Sequence, residues 1–114
     1  MEARSLPAGV SHALDRFARS LRDRFGSRVS EIVLFGSHAR GEATEESDVD
    51  VLVTIDEMTH EERVEVIDLA TATDRSAPDW VGLSVLVYAT SQATHMRDGG
   101  RRLFKDIDRE GVRL

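Results

Sequence analysis

The stretch that decides the fold is LFGSHARGEATEESDVDVLV, residues 34–53. It begins with apolar residues, turns at Gly36 and Ser37, runs through a polar loop and becomes apolar again. From Asp48 onward, polar and apolar side chains alternate, which is typical of a β-strand with two different faces. The stretch therefore predicts two strands joined by a polar loop, with Asp48 and Asp50 on one face of the second strand.

The flanking sequence predicts an α/β domain. Before the stretch, apolar residues recur at helical spacing, and Gly26 is suited to end that helix. After it, Thr59 and Glu62 form a capping box that starts a second helix, Pro78 ends the region that follows, and Thr90 is expected to cap a third helix. The predicted helices cover residues 11–25, 59–75, 90–97 and 101–110, and the predicted strands cover residues 29–36, 48–55 and 80–89. This order predicts a small mixed sheet covered by helices.

The apolar sides of the first and last helices are expected to face the core. These residues are Val10, Leu14, Phe17, Leu21 and Phe25 in the first helix and Leu103, Phe104 and Ile107 in the last. Residues 1–9 are expected to form a flexible tail, and residues 10–114 a single domain.

The composition excludes several classes of protein. With 40% hydrophobic and 32% charged residues, the 114-residue chain is expected to be soluble and cytoplasmic, with neither a signal peptide nor a membrane-spanning helix. The net charge of -6 argues against DNA binding, which needs clustered Lys and Arg. The absence of cysteine excludes disulfides and thiolate metal sites.

The paired aspartates indicate a divalent cation. Side chains two residues apart on a strand have Cα atoms roughly 6.6 Å apart, so Asp48 and Asp50 can reach one site. Two like charges at one site repel each other unless a positive charge lies between them. Mg²⁺, or Mn²⁺, is the simplest solution, because Mg²⁺ prefers one or two carboxylates together with substrate phosphates. The alternative is a pair of solvated carboxylates at the end of a strand.

The Gly-Ser turn suggests a phosphate site. Gly36 lets the backbone approach an anion closely, and Ser37 offers a hydroxyl donor. If residues 37–40 begin a short helix, its free N–H groups also face the anion, and Arg40 can donate several hydrogen bonds to a phosphate. The alternatives are that Ser37 caps a helix and that Arg40 is a solvated loop residue.

These motifs together resemble a known family. The pattern of Gly36-Ser37, ten residues and Asp48-x-Asp50 is similar to the signature of the DNA polymerase β-type nucleotidyltransferase superfamily. The longer stretch resembles its minimal nucleotidyltransferases, many of which neighbour a HEPN-domain partner in toxin–antitoxin pairs. The resemblance implies a polymerase β-like fold, triphosphate binding by Gly36 and Ser37, and catalytic metal binding by Asp48 and Asp50. It also implies transfer of NMP, with AMP from ATP expected first, to a hydroxyl acceptor.

The sequence departs from the family pattern at one position. Active members carry a third carboxylate on a later strand, which helps to bind the metal and can accept a proton. In the predicted third strand this position is Ser84, and the nearest acid, Asp79, lies roughly 16 Å away along an extended strand. Serine is not a general base at neutral pH, which leaves a slow enzyme, a substituted third ligand or a nucleotide-binding relic.

Three other residues near these motifs are interpreted structurally. His38 is taken as a spacer in the loop rather than a base. Trp80 and Tyr88 are taken as core or interface residues rather than as a platform for a nucleobase.

Three functions remain open. The first is a Mg²⁺-dependent nucleotidyltransferase that modifies a hydroxyl, with a HEPN toxin as its partner and an antitoxin role. The second is a degenerate module of the same fold that regulates a partner by binding alone, which Ser84 favours. The third is a small-molecule adenylyltransferase, which is less favoured because such chains usually append a second domain. The expected ligands are an NTP and a protein partner, with a homo-oligomer as a further option and no DNA or membrane.

Overall fold

The computed structural model describes residues 6–76 and 80–114. The helices are α1 (Ala8–Phe25), α2 (Ser37–Arg40), α3 (His60–Ser76), α4 (Thr90–Asp98) and α5 (Arg102–Glu110). The strands are β1 (Val29–Phe35), β2 (Val49–Ile55), β3 (Leu83–Ala89) and β4 (Val112–Arg113), and a 3-10 turn (Gly26–Arg28) joins α1 to β1. The predicted α/β fold with a small mixed sheet is confirmed.

The sheet brings the candidate site residues to one of its ends. Its strand order is β3-β2-β1-β4, with β1 antiparallel to β2 and β4, and with β2 parallel to β3. Because β1 runs against β2 and β3, the last residue of β1 and the first residues of β2 and β3 lie at the same end of the sheet. The Gly-Ser turn after β1, the two aspartates around the start of β2 and Ser84 in β3 therefore converge.

Helices cover both faces of the sheet. The larger apolar cluster joins α1 and α3 to one face, and a smaller cluster joins α4 and α5 to the other. All five residues of the predicted α1 stripe are buried, and so are Phe104 and Ile107, which confirms these core assignments. Leu103 is the exception, because it is exposed on the side of α5 that lines a groove with Asp50.

Two element boundaries differ from the predictions by more than one residue. Helix α1 begins at Ala8, directly after Pro7, so residues 8 and 9 belong to the helix and not to a tail. Strand β3 begins at Leu83 and not at Trp80, because Gly82 has a φ of 74°, which a strand does not accommodate. Pro78 and Asp79 lie outside the described residues.

Gly26 is the C-cap of α1, as predicted, and of the two predicted N-terminal helix caps one is confirmed. The N–H of Thr59 donates to Glu62 Oε1 at 3.0 Å, and the N–H of Glu62 donates to Thr59 Oγ1 at 3.1 Å. The cap assigned to Thr90 is wrong, since Thr90 is the first helical residue and its hydroxyl donates to Asp56 Oδ1 at 2.6 Å.

A fourth strand completes the sheet. In β4, Val112 pairs with Leu34 of β1, and the following N–H of Leu114 donates to Ile32 O at 2.9 Å. The chain can pass from α5 into this strand because Gly111 has no side chain. A Cβ there would lie 2.5 Å from the carbonyl oxygen of Ile107.

The start of β3 is held by a helix. Asp74, which is buried in α3, accepts a hydrogen bond through Oδ2 from the N–H of Leu83 at 2.9 Å. This contact satisfies a backbone donor of the edge strand next to Ser84. It helps to fix the position of Ser84 relative to β2.

Candidate functional site

The turn after β1 fits closely around one of the aspartates. Gly36 has a φ of 79°, in the left-handed region that glycine adopts at little cost. A Cβ at Gly36 would collide with the carboxylate of Asp50, which occupies the space a side chain would need. The glycine is therefore required both by the backbone and by its neighbour.

Residues Ser37–Arg40 form a short helix after the turn, as the sequence suggested. The N-cap of this helix is Gly36, and Ser37 is its first residue, which argues against a capping role for Ser37. The N–H of Arg40 donates to Gly36 O at 3.1 Å, and the N–H of Glu42 donates to Ser37 O at 2.9 Å. These bonds close the turn and leave Ser37 lining an open groove.

The two aspartates differ in exposure. Asp48 is exposed just before β2, whereas Asp50 is half-buried within it. Burial raises the pKa of Asp50, and the charge of Asp48 raises it further, while His38 and Arg40 act in the opposite direction. A cation bound between the two carboxylates would offset both the burial of Asp50 and its repulsion by Asp48.

His38 lies deeper than a loop spacer would. Its side chain is buried, and it is close enough to Asp50 to influence the pKa of that carboxyl. No sequence pattern indicates this contact, because it depends on the path of the turn.

Ser84 lies beside Asp50. The two residues are register partners in the parallel pair of β2 and β3, so their side chains project from the same face. Ser84 is exposed. Within residues 6–76 and 80–114, no three His, Cys, Asp or Glu side chains come together in a way that could hold a metal ion.

The oxygen donors that are present fit Mg²⁺ or Mn²⁺. Two carboxylates from Asp48 and Asp50 match the one or two that Mg²⁺ takes from a protein when substrate phosphates and water supply the rest. They do not make a complete protein cage, so this site would depend on a phosphate-bearing ligand.

A groove of about 470 Å³ runs from the Gly-Ser turn to α5. It is lined by Phe35, Gly36, Ser37, Arg40, Asp50, Leu103, Asp106 and Glu110. The three residues from α5 were not expected at the site. Their spacing is that of one helix face, but nothing in the sequence indicated that this face would meet the turn.

Arg40 lies at the groove with two partners. Its Nε donates to Glu42 Oε1 at 2.9 Å, and its Nη1 donates to Glu110 Oε1 at 3.3 Å. Hydrogen bonds to these carboxylates raise the pKa of Arg40. The guanidinium is thus held at the groove, in contact with acidic groups that a phosphate could replace.

The two aromatic residues have different surroundings. Tyr88 is partly buried, with its ring centroid 6.0 Å from that of Phe104, as a core residue would be. Trp80 is 70% exposed, so of the two interpretations, core or interface, the core one is wrong for this residue and the interface one stays a prediction.

Comparison with known proteins identifies the class. The family model described as "Nucleotidyltransferase domain" matches residues 14–94, and the chain belongs to this family. The matched region contains the Gly-Ser turn, both aspartates and Ser84, but it ends before α5.

Curated relatives carry a more specific name. Protein adenylyltransferase MntA of Thermococcus cleftensis is 49% identical over 49 residues, which are 43% of this chain and 48% of that protein. "Putative protein adenylyltransferase MJ1379" of Methanocaldococcus jannaschii is 40% identical over 60 residues, or 53% of this chain and 58% of that protein. A third, "Putative protein adenylyltransferase MJ0604" of the same organism, is 46% identical over 44 residues, or 39% and 44% of the two chains. The chain spans about half the length of the curated relatives it matches.

Among solved structures, a crystal structure described as a "putative nucleotidyltransferase" from Sulfolobus solfataricus superposes with a TM-score of 0.47 and 16% identity. The superposition covers 96% of this chain and 88% of that one. A likeness this loose carries no conclusion about function. Separately, no helix in the described part of the chain is both long and apolar enough to cross a membrane.

Proposed function

We propose that this chain is a nucleotidyltransferase that uses Mg²⁺ or Mn²⁺ to transfer NMP, with AMP from ATP as the first candidate, to a hydroxyl acceptor. The observation that carries the proposal is the fit between Gly36 and Asp50. The turn at Gly36 is of a type that binds phosphate, and the carboxylate of Asp50 is of a type that binds metal. This carboxylate occupies the space that is open because Gly36 has no side chain. A structural turn has no need of a charged partner in that space.

In this proposal, the residues of the site have two roles, which are phosphate binding and metal binding. The backbone at Gly36, the hydroxyl of Ser37 and the guanidinium of Arg40 bind and orient the β- and γ-phosphates. Asp48 and Asp50 hold the divalent cation. When bound, the cation neutralises negative charge on the phosphates during the transfer and on the departing pyrophosphate.

Arg40 has to change partners for this role. In the free protein its guanidinium binds Glu42 and Glu110, and a triphosphate would compete with those carboxylates. Asp106 and Glu110 also line the groove and would repel phosphates. A nucleotide is therefore expected to bind as its complex with a divalent cation and poorly without one.

The acceptor we propose is a hydroxyl on a partner protein. The names of the curated relatives, which are protein adenylyltransferases, support this class of acceptor. The resemblance to minimal nucleotidyltransferases favours a tyrosine of a HEPN-domain toxin, with this chain acting as the antitoxin. Such a reaction, with ATP as donor, belongs in the cytoplasm.

A degenerate module that regulates its partner by binding alone is the second candidate. Ser84 favours it, because an exposed hydroxyl lies beside Asp50 where the family pattern that this sequence resembles has an acid. General acid–base assistance is worth about 10²- to 10⁴-fold in rate, so its loss slows a reaction that positioning and charge can still support.

Transfer of label separates the two candidates. The protein is incubated with Mg²⁺ and ATP, together with the product of any HEPN-type gene found beside its own. Label on the α-phosphate should appear on protein, and label on the γ-phosphate should not. Asp50→Asn should abolish the labelling, whereas Asp68→Asn, at an exposed position of α3, should not. Metal-dependent nucleotide binding without any transfer would favour the binding module.

A further inference from the structure

Trp80 lies next to the proposed metal site. It is the only tryptophan of the chain, and 70% of it is exposed. A Cβ built on Gly82 would lie 3.3 Å from Asp48 Oδ1 and 3.8 Å from the indole Nε1 of Trp80. The carboxylate and the indole therefore flank the same gap, which exists because residue 82 is glycine.

This indole lies across the aspartates from the groove. The groove is built by the turn after β1, by α2 and by α5, and Asp50 is its boundary on the side of β2. Trp80 precedes β3, which is on the opposite side of β2 from β1. In the proposed binding mode, the β- and γ-phosphates of the nucleotide lie in the groove and its α-phosphate lies near the aspartates. The nucleoside then needs a separate binding surface. Among the described residues, the exposed Asp48 and Trp80 offer a surface for it beside the aspartates.

We propose that the nucleobase stacks on the indole of Trp80. This inference rests on the proposed nucleotidyltransferase function, because it uses the groove as the phosphate site. A large aromatic side chain that is mostly exposed forgoes the burial that would stabilise the fold, whereas a flat ring beside a phosphate site is suited to stack on a base. Gly82 contributes because it places no side chain between the carboxylate of Asp48 and the indole.

The single tryptophan makes the inference directly measurable. Saturating Mg²⁺-ATP should change the intrinsic fluorescence of the protein, whereas Mg²⁺-tripolyphosphate, which has the phosphates but no base, should bind with little change. Trp80→Ala should weaken Mg²⁺-ATP binding by about 5- to 100-fold, the range expected for loss of one base-stacking contact. Trp80→Phe, which keeps an aromatic ring, should recover part of that loss. Ile67→Ala, at an exposed apolar position on α3, is the control for a surface substitution.

The outcomes distinguish the two proposals. If neither Mg²⁺-ATP nor Mg²⁺-tripolyphosphate binds to the folded wild-type protein, the proposed function fails and the base platform fails with it. If both bind but Trp80→Ala leaves the affinity for Mg²⁺-ATP unchanged, the function stands and the base does not stack on Trp80. If Trp80→Ala weakens only transfer to a protein acceptor, the indole contacts the acceptor, which also overturns the inference. Calorimetry measures each affinity, and circular dichroism confirms that each variant is folded.

Discussion

Gly36 is constrained in two ways, by its own backbone conformation and by its contact with Asp50. Its positive φ is a feature of many turns, and by itself it would indicate only where the chain reverses. The second constraint is more informative, because the carboxylate of Asp50 lies where a Cβ would be. This side of the turn is thus shaped by a charged group and not by solvent.

Replacing this glycine should separate the two constraints. Gly36→Ala is expected to destabilise the fold by about 1–3 kcal/mol through its backbone conformation, and also to displace Asp50 and abolish Mg²⁺-dependent ATP binding. Gly26→Ala is the matched control, because Gly26 also has a positive φ but would have no atom within 4 Å of an added Cβ. Denaturation and calorimetry measure the two effects. If both variants kept full ATP binding, the contact between Gly36 and Asp50 would have no functional role.

Ser84 offers a test by gain of a ligand. Ser84→Asp should add a third carboxylate beside Asp50, as their pairing in the sheet requires. We expect Mn²⁺ affinity to rise by about tenfold or more, and stability without metal to fall because three acids then repel one another. Calorimetric titration with Mn²⁺ compares this variant with Ser84→Asn, which is similar in size to aspartate but uncharged. Equal affinity in the two would mean that position 84 does not face the cation.

At the residue scale, the sequence predicted what depends on alternation and local geometry. It assigned the turn to Gly36 and Ser37 and a strand to Asp50, as the structure has them, whereas the shared face of Asp48 and Asp50 stays a prediction because Asp48 precedes β2. It could not predict that His38 would be buried near Asp50. That contact arises from the three-dimensional path of the turn, which no short-range pattern encodes.

At the scale of elements, a charged network attaches α4 and α5 to the sheet. Arg97 of α4 donates to both oxygens of Glu31 in β1, at 2.9 and 2.8 Å, and its Nη2 donates to Asp108 of α5 at 2.9 Å. Glu31 is only 7% exposed and also accepts from the hydroxyl of Thr54 at 3.3 Å. The network therefore fixes α5, and with it the residues that α5 contributes to the groove.

This network should make stability depend on pH. The hydrogen bonds from Arg97 hold the pKa of Glu31 below its ordinary value of 4.5, despite burial acting in the opposite direction. A carboxyl with a lowered pKa in the folded state stabilises the protein above its unfolded pKa, and this contribution is lost as the pH falls through the folded pKa. Glu31→Gln should therefore be less stable than wild type at pH 7 by about 1–3 kcal/mol, and the difference should shrink below about pH 4.

Chemical denaturation at a series of pH values measures this effect. Glu65→Gln is the control, because it removes an exposed partner of Arg24, and exposed ion pairs contribute about 0–1 kcal/mol. A difference between Glu31→Gln and wild type that stayed constant from pH 7 to pH 3 would show that ionisation of Glu31 does not support the fold.

At the scale of elements, the helices and strands that the sequence predicted correctly are those with a long periodic pattern. The long helices and the first two strands were predicted to within a few residues, because their apolar spacing extends over several turns or alternations. Strand β4 was missed because two residues carry no period. The polar face of α5 was predicted as part of a helix but not as part of the groove, since that depends on how α5 packs on the sheet.

For the whole molecule, charge decides how a nucleotide can bind. The chain carries a net charge of -6, and three of the groove residues are acids. An ATP molecule without a cation would meet net repulsion, and Arg40 is already engaged by two glutamates. A nucleotide and a divalent cation are therefore expected to bind together.

Calorimetric titration with ATP tests this expectation most directly, with and without Mg²⁺, on wild type, Asp50→Asn and Asp68→Asn. We expect wild type and Asp68→Asn to bind ATP only when Mg²⁺ is present, because the aspartate pair and the nucleotide share the cation. Asp50→Asn should lose that binding while its fold and thermal transition are retained. Binding of equal strength by Asp50→Asn, or by wild type in the absence of a divalent cation, would contradict the assignment of the aspartates as the metal site.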